Sequence, residues 1–556
     1  MSNFTFDTAP SIKAPRSKFN LSHGVKTSMS AGKLYPLRVL EVLPGDTFDC
    51  NAVAVSRVST AFLRPVMDNV FLDVYFFFVP SRLEFNKWGE IFGENNDSAW
   101  ARSTEVTAPM TGGTVSPKTV ADYMGLPISR FATNLINVLP FRAFADIWNE
   151  WFRNENTVAP VHVQRGSTVS SEYFNNNAWA PNNYTGKLPN VMKKKDYFTS
   201  ALPSPQKGNA VTLGALQDVP VYSSTNHNVL GNSALHLVRV NGDIPTTDNY
   251  SLNYGNLNGF GTLYAADNGA AISSPSMALK PSNLWAQTSV ATSISVNDLR
   301  VAVQSQKLLE RAARGGTRYR EYLLSAFGVS NGDARMQIPE FLGGKRIPLN
   351  IQQVTQTNTQ QATSSETVQS PLGSLGATSL TNGRARFIKS FTEHGYLFCV
   401  GCIRQLHTYQ QGVPKMFMRE KQLDFYDPLF QSIGEQPIWQ SELYVPSTPL
   451  SPVNNLKATI FGFTEAWAEY RFSPSVVTGQ MRSGVDDSFD VWHFADYYSA
   501  PPALSESFTN ETSQYIDRTL AAPSSQVDEF LLDLWFDIKS YRRMPVRSIP
   551  GYVDHY

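Results

Sequence analysis

The stretch from Leu34 to Trp88 constrains the fold most, because its apolar residues recur with the period of a β-strand. From Asn69 to Val79, large apolar side chains occupy both sets of alternating positions, and a strand of this kind is buried on both faces. Pro44-Gly45-Asp46 interrupts the preceding run, where proline fixes φ and glycine and aspartate accept turn geometry. The stretch therefore predicts strands of an antiparallel β-sandwich.

Four later segments show similar sheet-forming sequence. They are His394–Leu406, Thr459–Phe472, Phe489–Phe494 and Val527–Tyr541. Because strands lie at both ends of the chain, the sandwich closes only when the termini meet, which is jelly-roll topology. The predicted fold is mainly β: an eight-stranded antiparallel jelly-roll β-sandwich with long loop insertions and a few helices.

Two stretches have helical spacing. Phenylalanine and tryptophan residues between Pro140 and Arg153 make one aromatic stripe, which predicts a helix packed on the sandwich. A platform for stacking nucleobases is the alternative, but such sites interleave cations, and this stripe offers only Arg142 and Arg153. Ser295–Asp298 resembles a capping box, and the helix that follows is predicted to stop at Gly315-Gly316.

Residues 154–295 change in character to Asn, Gly, Ser, Thr and Pro with short apolar pieces. Between Lys207 and Val296 only six side chains are charged, yet aromatic residues are too frequent for a disordered segment. We therefore predict a compact, loop-rich insertion of short strands. A second polar stretch, residues 351–370, predicts a polar loop.

The chain divides into six predicted segments. They are a basic N-terminal arm (1–36), the first jelly-roll strands with packed helices (37–153), the insertion (154–295), a helical connection (296–345), the remaining jelly-roll strands (346–541) and a basic C-terminal arm (542–556). The N-terminal arm is expected to be extended, so that truncating residues 1–36 blocks stable particle formation while leaving a soluble folded core.

Charge and cysteine content restrict the classes of function. Lys plus Arg equal Asp plus Glu at 47 each, so the whole chain is not a polycation, and any contact with nucleic acid must be local. The three cysteines are too few for a disulfide framework, which fits assembly in a reducing cytoplasm.

Motifs for catalysis or metal binding are weak. Cys399 and Cys402 have the CxxC spacing of zinc and redox sites, but there is no second pair, and buried strand cysteines are the better interpretation. Gly328–Gly332 matches the GxSxG pattern, but a helical segment rather than a strand precedes it. His394 and His493 stand beside strand aromatics and are expected to be structural. We therefore predict no enzyme activity, no metal site and no cofactor.

Ordered sequence blocks carry a resemblance to a known family. The blocks, in chain order, are EVLPGDTF (Glu41–Phe48), RPVMD (Arg64–Asp68), FFVPSRLEFNKW (Phe77–Trp88), GGTRYREYLLSAFGV (Gly315–Val329), QIPEFLGG (Gln337–Gly344), TYQQGVP (Thr408–Pro414), GEQ (Gly434–Gln436) and AEYRFSPSVVTGQMRS (Ala468–Ser483). They resemble the major capsid proteins of the gokushovirus branch of the Microviridae, small bacteriophages with single-stranded DNA. Within GEQ, Glu435 is expected to be a buried carboxylate that accepts backbone hydrogen bonds.

The resemblance implies a jelly roll of the viral capsid type in a T=1 icosahedral shell that encloses circular single-stranded DNA. It implies that the insertion forms a protrusion at each threefold axis, where host attachment is the usual proposal and clamping of three subunits is the alternative. Implied partners are further copies of the chain, the DNA genome, a small DNA-packing protein, scaffolding or pilot proteins and a bacterial surface receptor. The chain would belong to the virion, after assembly in the host cytoplasm.

Within this interpretation, the basic arms supply candidates for contact with DNA phosphates. These candidates are Lys13, Arg16, Lys18, Lys26, Arg542, Arg543 and Arg547. Ion pairs between subunits are the alternative role for them. Aromatic residues of the insertion are candidates for host contact, because rings supply area and short polar neighbours supply hydrogen bonds. These are Tyr222, Tyr250, Tyr254, Phe260 and Tyr264.

Two other function classes stay open. Jelly rolls also serve as lectins, and the aromatic insertion could hold a sugar. A cupin enzyme would need clustered His and Glu ligands on strands, which the sequence does not show. Light scattering separates the classes, because a lectin or cupin gives a small oligomer, whereas a capsid protein gives a shell or an insoluble subunit.

Overall fold

Antiparallel strands dominate the fold. The computed structural model describes residues 15–94, 106–169, 186–209, 211, 221–223, 237–239, 250–257, 260–267, 279–281, 284–286, 296–355, 357, 375–446 and 455–547. The strands are β1 (Arg16–Asn20), β2 (His23–Met29), β3 (Tyr35–Val42), β4 (Thr47–Val58), β5 (Val70–Pro80), β6 (Met110–Thr114), β7 (Arg130–Asn137), β8 (Val221–Ser223), β9 (Leu237–Arg239), β10 (Tyr250–Leu257), β11 (Phe260–Asp267), β12 (Leu279–Pro281), β13 (Leu284–Ala286), β14 (Glu340–Pro348), β15 (Ile351–Thr355), β16 (Leu375–Ser390), β17 (Gly395–Gln405), β18 (Glu435–Trp439), β19 (Ile460–Glu465) and β20 (Phe530–Arg543).

Most of the helices are a single turn. They are α1 (Ser81–Glu84), α2 (Trp88–Ile91), α3 (Val120–Tyr123), α4 (Leu139–Ile147), α5 (Val296–Arg314), α6 (Tyr319–Phe327), α7 (Asp333–Met336), α8 (Glu506–Thr509) and α9 (Gln514–Asp517), with a π-helix at Trp148–Phe152. Short 3-10 helices occupy Lys415–Met418, Gln422–Asp424, Pro428–Phe430, Gln440–Glu442, Ala468–Tyr470, Gly479–Met481 and Asp490–Trp492. The helix predicted to stop at Gly315 is α5, whose N-cap lies outside the described residues.

Two antiparallel sheets pack face to face. One has the strand order β1-β20-β4-β16-β15, with β2 also paired to β20, and the other has the order β14-β5-β17-β3. The inner faces meet through aromatic pairs such as Phe76 of β5 and Phe387 of β16, whose ring centroids are 4.9 Å apart. One cluster of buried residues includes members from both sheets. The predicted antiparallel β-sandwich is confirmed.

Strand β5 is buried on both faces, as its alternation predicts. Phe76 and Phe77, on opposite faces, are each 1% exposed. The face that bears Phe77 is covered by the helical segment 139–152, where the ring of Trp151 lies 5.5 Å from that of Phe77. The aromatic stripe is therefore part of the core, and its Arg142 is fully buried, donating to the carbonyl oxygen of Glu84 at 2.9 Å.

A single carboxylate links three strands of the second sheet. Asp73 in β5 is fully buried and accepts hydrogen bonds at 2.7 and 2.8 Å from Arg346 of β14. It also accepts one at 2.9 Å from Arg404 of β17. Burial alone would raise the pKa of Asp73, but the hydrogen bonds from Arg346 and the charge of Arg404 outweigh it and hold the pKa below its ordinary value. Asp73 is therefore ionised at neutral pH and balances a nearly buried arginine.

The N-terminal segment differs from the expected arm. From Arg16 it is indeed extended, but β1 and β2 pair with β20 through continuous antiparallel register. Met29 and Leu34 are fully buried in the core. The sequence gives little sign of this, because RSKFN and HGVKTSM are mostly polar or small. Beside β20 their inward side chains are only partly covered, apart from the buried Met29.

Three other segments differ from their predicted conformation. Residues 351–355, expected in a polar loop, pair with β16 as β15. The stretch 459–472 is a strand only as far as Glu465, after which Trp467 adopts a positive φ of 64° and a 3-10 turn follows. The predicted strand Phe489–Phe494 instead holds a 3-10 turn, because the hydroxyl of Ser488 accepts the backbone N–H of Asp490 at 3.1 Å and favours a turn.

Contacts divide the chain into two compact units, of which one is Gly208–Leu309 and the other is the remainder. In its described residues, the Gly208–Leu309 unit contains β8 to β13 in three two-stranded sheets and the first part of α5. Residues 154–207, which we assigned to the insertion, fall in the other unit, where Val191 is fully buried and Phe198 nearly so. Their composition is polar, but isolated bridges such as Leu202 to Phe463 attach them to the larger unit.

Candidate nucleic-acid interface

Both basic ends of the chain meet on the solvent-facing side of the six-stranded sheet. Strand β20 pairs with β1 and β2 on one side and with β4 on the other. The register places Arg16 directly opposite Arg543 and Lys18 opposite Tyr541. We call this side the basic face and define it by its charged positions. They are the cations Arg16, Lys18, Lys26, Arg57, Arg384, Arg386, Lys539 and Arg543 and the acids Asp49, Asp533 and Asp537.

Four of the predicted phosphate contacts lie on the basic face. Arg16, Lys18, Lys26 and Arg543 are all exposed. Arg16 donates a hydrogen bond to the hydroxyl of Thr47, and the ammonium of Lys18 lies 5.8 Å from the ring centroid of Tyr541. These contacts hold the stems of the side chains against the sheet while the charges stay solvated.

The other three predicted contacts are placed differently. Arg542 points to the opposite side of β20, where its guanidinium lies 3.0 Å from the carboxylate of the buried Asp46 and donates to the carbonyl oxygen of Glu41 at 2.9 Å. Its role is therefore structural, since alternation along β20 turns it away from Arg543. Arg547 is exposed beyond the end of β20, and Lys13 lies outside the described residues.

Sequence reasoning missed four cations of this face. Arg384 and Arg386 come from β16, Lys539 from β20 and Arg57 from β4. The available sequence signal was the alternation of charged and apolar residues along these strands. In the run RARF, for example, two arginines flank an inward-facing alanine that is 3% exposed. The charges looked like an ordinary solvated strand face, because only the pairing of β16 with β4 and of β4 with β20 brings them together.

The basic face carries a local excess of positive charge on a chain whose formal net charge is zero. Asp49 is engaged by Arg386 at 3.1 Å, and Asp533 lies opposite Lys26 in the strand register. Arg16 and Arg543 have no such partner in the register, because they face each other. A surface of this kind attracts polyanions without selecting a base sequence.

The predicted host-contact residues lie in strands of the Gly208–Leu309 unit. Tyr250 and Tyr254 are in β10 and Phe260 and Tyr264 in β11, which pair as one hairpin with Phe260 opposite Leu257. Tyr222 is in β8, opposite Trp285 of β13. The prediction of short strands is confirmed for these segments, whereas the role of these five residues in host contact stays a prediction.

The motifs judged weak for catalysis have structural environments. Cys399 and Cys402 are buried in β17, and burial raises the pKa of the Cys402 thiol to about 12. Ser330, inside the GxSxG match, lies between α6 and α7 rather than after a strand. In the part of the chain that the structure describes, His, Cys, Asp and Glu side chains form no group of three or more that could hold a metal ion.

His493 and His394, which were expected to be structural, have contacts of that kind, whereas Glu435 has a partner other than the expected backbone N–H groups. The Nε2 atom of buried His493 lies 2.6 Å from the carbonyl oxygen of Met481, and the ring of His394 stacks on Phe92 at 4.8 Å. The expectation that Glu435 accepts backbone hydrogen bonds is wrong, because the guanidinium of Arg314 donates to it instead. Arg314 is the last residue of the long helix α5, and sequence reasoning did not place that helix beside β18.

A buried charged network was also missed by sequence reasoning. The ring of His407 lies 2.8 Å from a carboxylate oxygen of Asp496 and 3.2 Å from one of Glu511, and Lys193 contacts Asp496 at 3.1 Å. Burial lowers the pKa of His407, but the two carboxylates more than compensate and raise it to about 9. All four side chains are nearly or fully buried, so the network joins distant segments of the fold and does not face a substrate.

Comparisons with known proteins cover almost the whole chain. The model of a family described as "Capsid protein (F protein)" matches residues 8–552. The chain is 37% identical over 555 residues to capsid protein VP1 of Bdellovibrio phage phiMH2K, covering 98% of this chain and 97% of that protein. It is 36% identical over 548 residues to capsid protein VP1 of Spiroplasma virus 4, covering 97% and 95%. It is 34% identical over 594 residues to capsid protein VP1 of Chlamydia phage 1, covering 98% and 97%. The chain therefore belongs to the phage capsid protein (F protein) family, and among its members it is a gokushovirus capsid protein of the Microviridae.

Proposed function

We propose that the chain is the major subunit of a small T=1 icosahedral shell that encloses circular single-stranded DNA. Membership of the capsid family supports a structural role in the virion, self-association and packaging of the viral genome.

The strand pairing supports an eight-stranded jelly roll as the topology of the sandwich core. Strands β2-β20-β4-β16 form one sheet and β3-β17-β5-β14 the other, so consecutive strands β2 to β5 alternate between the two sheets. Strands β14, β16, β17 and β20 return through the same two sheets in the opposite sequence order, with β1 and β15 as additions at the edges. This order supports a jelly roll of the viral capsid type, with β2 of the expected arm as its first strand.

The observation that carries self-association is an exposed apolar surface on residues 415–433, which we call the apolar segment. Its large exposed side chains are Met416, Phe417, Leu423, Phe425, Tyr426, Leu429 and Ile433, with Leu429 87% exposed. The segment is fixed rather than loose, because Arg419 donates to Glu469 at 3.0 Å and stacks on Tyr470. A fixed surface with seven large exposed apolar side chains is characteristic of a protein interface, and a second copy of the chain is the partner that a shell supplies.

Charge in the apolar segment should block assembly without unfolding the subunit. We expect the double variant Phe417→Asp, Leu429→Asp to stay folded, because both side chains are exposed, yet to give no shells. Leu429→Met is the matched control and should assemble, since it conserves apolar area. Sedimentation and negative-stain electron microscopy measure the particles, and thermal unfolding measures the fold. If the double variant formed normal shells, the apolar segment would not be part of the interface between subunits.

The insertion is proposed to project from the shell and to meet the host cell. The support for this role is that residues 208–309 form a compact unit of their own, poor in charge and containing the aromatic hairpin β10–β11. Clamping of three subunits at the threefold axis is the alternative use of the same unit, and both uses are compatible with one structure.

Replacing residues 208–281 with a short Gly/Ser linker separates the two uses of the insertion. Attachment predicts intact particles with strongly reduced adsorption to host cells, whereas a clamp alone predicts unstable particles or none. Particle yield and adsorption are measured on the same preparation, with a linker of equal length in residues 358–374 as the control. Intact particles that adsorb as well as the parent would rule attachment out.

A further inference from the structure

Two aromatic side chains stand on the basic face. Trp535 and Tyr541 of β20 are 54% and 37% exposed, although their strand neighbours on the inner side are buried. Trp535 lies opposite Gly24 of β2, and its ring atom Cε3 would be in ordinary van der Waals contact, at 3.6 Å, with a Cβ at that glycine. The indole therefore lies against β2 at Gly24 on one side, while about half of its surface faces solvent.

Cations flank Tyr541 directly, whereas the nearest charged neighbours of Trp535 on its own strand are Asp533 and Asp537, with Lys26 of β2 opposite Asp533. Lys539 and Arg543 are exposed on the same face of β20, and Lys18 lies over Tyr541. Across the sheet, Val53 of β4 is the register partner of both Trp535 and Arg384, which places Arg384 two strands away at about 10 Å. This is the interleaving of rings and cations that surfaces for single-stranded nucleic acid use, and that the buried stripe of α4 lacks.

We propose that Trp535 and Tyr541 stack the bases of single-stranded DNA while the neighbouring cations of the basic face bind its phosphates. This inference rests on the proposed function, in which the shell encloses such DNA, and goes beyond it by assigning the surface and the part of the nucleotide that each group binds. Charge complementarity selects the occupant, because a second copy presenting the same face would bring like charges together.

The geometry fits binding without base specificity. The two rings are six residues apart on one strand, a separation of about 20 Å, so they contact different nucleotides of one strand of DNA. Every base has a π-face, so stacking is tolerant of sequence, as a shell that coats a whole genome requires. Duplex DNA is a poorer ligand, because its bases are already stacked on one another.

An abasic strand tests the stacking contacts separately from the phosphate contacts. We would measure the affinity of the unassembled full chain for oligodeoxythymidylate and for an abasic oligonucleotide of equal length, by fluorescence anisotropy at fixed salt. The parent chain should bind the thymidylate oligonucleotide at least about tenfold more tightly than the abasic one. Trp535→Ala should lower that affinity roughly tenfold and leave the abasic affinity unchanged, because one stacked base is lost. Trp535→Phe should retain most of the preference.

A phosphate variant gives the contrasting result. Lys539→Gln should weaken the binding of both oligonucleotides to the same degree and reduce the slope of log affinity against log salt by about one counterion. Thermal unfolding of each variant checks that the sheet is intact, since Trp535 also covers Gly24. The stacking role would be overturned if the parent bound both oligonucleotides with equal affinity, or if Trp535→Ala lost the same amount of affinity for each.

Photocrosslinking in assembled particles distinguishes this inference from the proposed function. Packaged DNA that carries 5-bromouracil should give adducts on β20 peptides that include Trp535 or Tyr541. Shells that package DNA but give adducts only elsewhere would overturn the inference and leave the proposed function standing. Failure of the chain to form shells at all would instead contradict the proposed function.

Discussion

Deleting residues 1–36 should leave no soluble, folded chain. The deletion removes β1 and β2 and with them the buried side chains of Met29, Leu34 and Tyr35. Burying three large apolar side chains contributes on the order of 6 kcal/mol, which is comparable to the whole free energy of unfolding of a typical domain. The carboxylate of the buried Glu529 also loses the hydrogen bond that it accepts from the backbone N–H of Ala31 at 2.8 Å.

A shorter deletion is the matched control for this result. Removing only residues 1–14 retains every strand that the structure describes in the two sheets and should leave the fold intact. Solubility, far-UV circular dichroism and thermal unfolding of both truncated chains measure the effect. A soluble chain of residues 37–556 with a cooperative unfolding transition would contradict the assignment of β2 to the sandwich and restore the original expectation of a detachable arm.

Asp73→Asn should be among the most damaging single substitutions in the sandwich. The change keeps the size of the side chain but leaves the guanidinium of Arg404, only 10% exposed, without a counter-charge. Breaking a buried ion pair in this way costs about 3–5 kcal/mol. Because the pKa of Asp73 is held below its ordinary value, its contribution is complete at neutral pH and is lost as pH falls below about 4.

Asp49→Asn removes an exposed ion pair and serves as the control. Its partner Arg386 is 59% exposed, so the loss should be within about 1 kcal/mol. Urea unfolding of the unassembled chain at pH 7 compares the two variants. A parallel series at about pH 3, below the ordinary pKa of an aspartate, should narrow the difference in unfolding free energy between Asp73→Asn and the parent. Equal destabilisation by the two variants would show that Asp73 does not balance the buried arginine.

Strands with a strong apolar alternation of their own could be predicted from sequence. Strands that form only because a neighbouring strand offers an open edge could not. β5 and the inner face of β20 alternate strongly enough to be recognised alone. β2 and β15 are short and polar, and they become strands because β20 and β16 present open edges to them. The turn at residues 490–492 was missed for the opposite reason, since a local side-chain hydrogen bond overrode a short apolar run.

The candidate interface was predicted only in part, and for a physical reason. Clustering of cations near the termini marked Arg16, Lys18 and Lys26, but long-range pairing decides which residues share a face. That pairing adds Arg384 and Arg386 from the middle of the chain and turns Arg542 inward. Alternation along β20 would have excluded Arg542, had the strand been extended to Arg543 in the sequence analysis.

A cryo-electron microscopy reconstruction of shells assembled from the full chain would show the orientation of the basic face in the particle. Our central expectation is a T=1 shell in which the face bearing Arg384, Trp535 and Arg543 lines the interior and contacts density for DNA, with the Gly208–Leu309 unit on the outside. A particle whose basic face lies on the exterior, or is sealed between two subunits away from the genome, would contradict it.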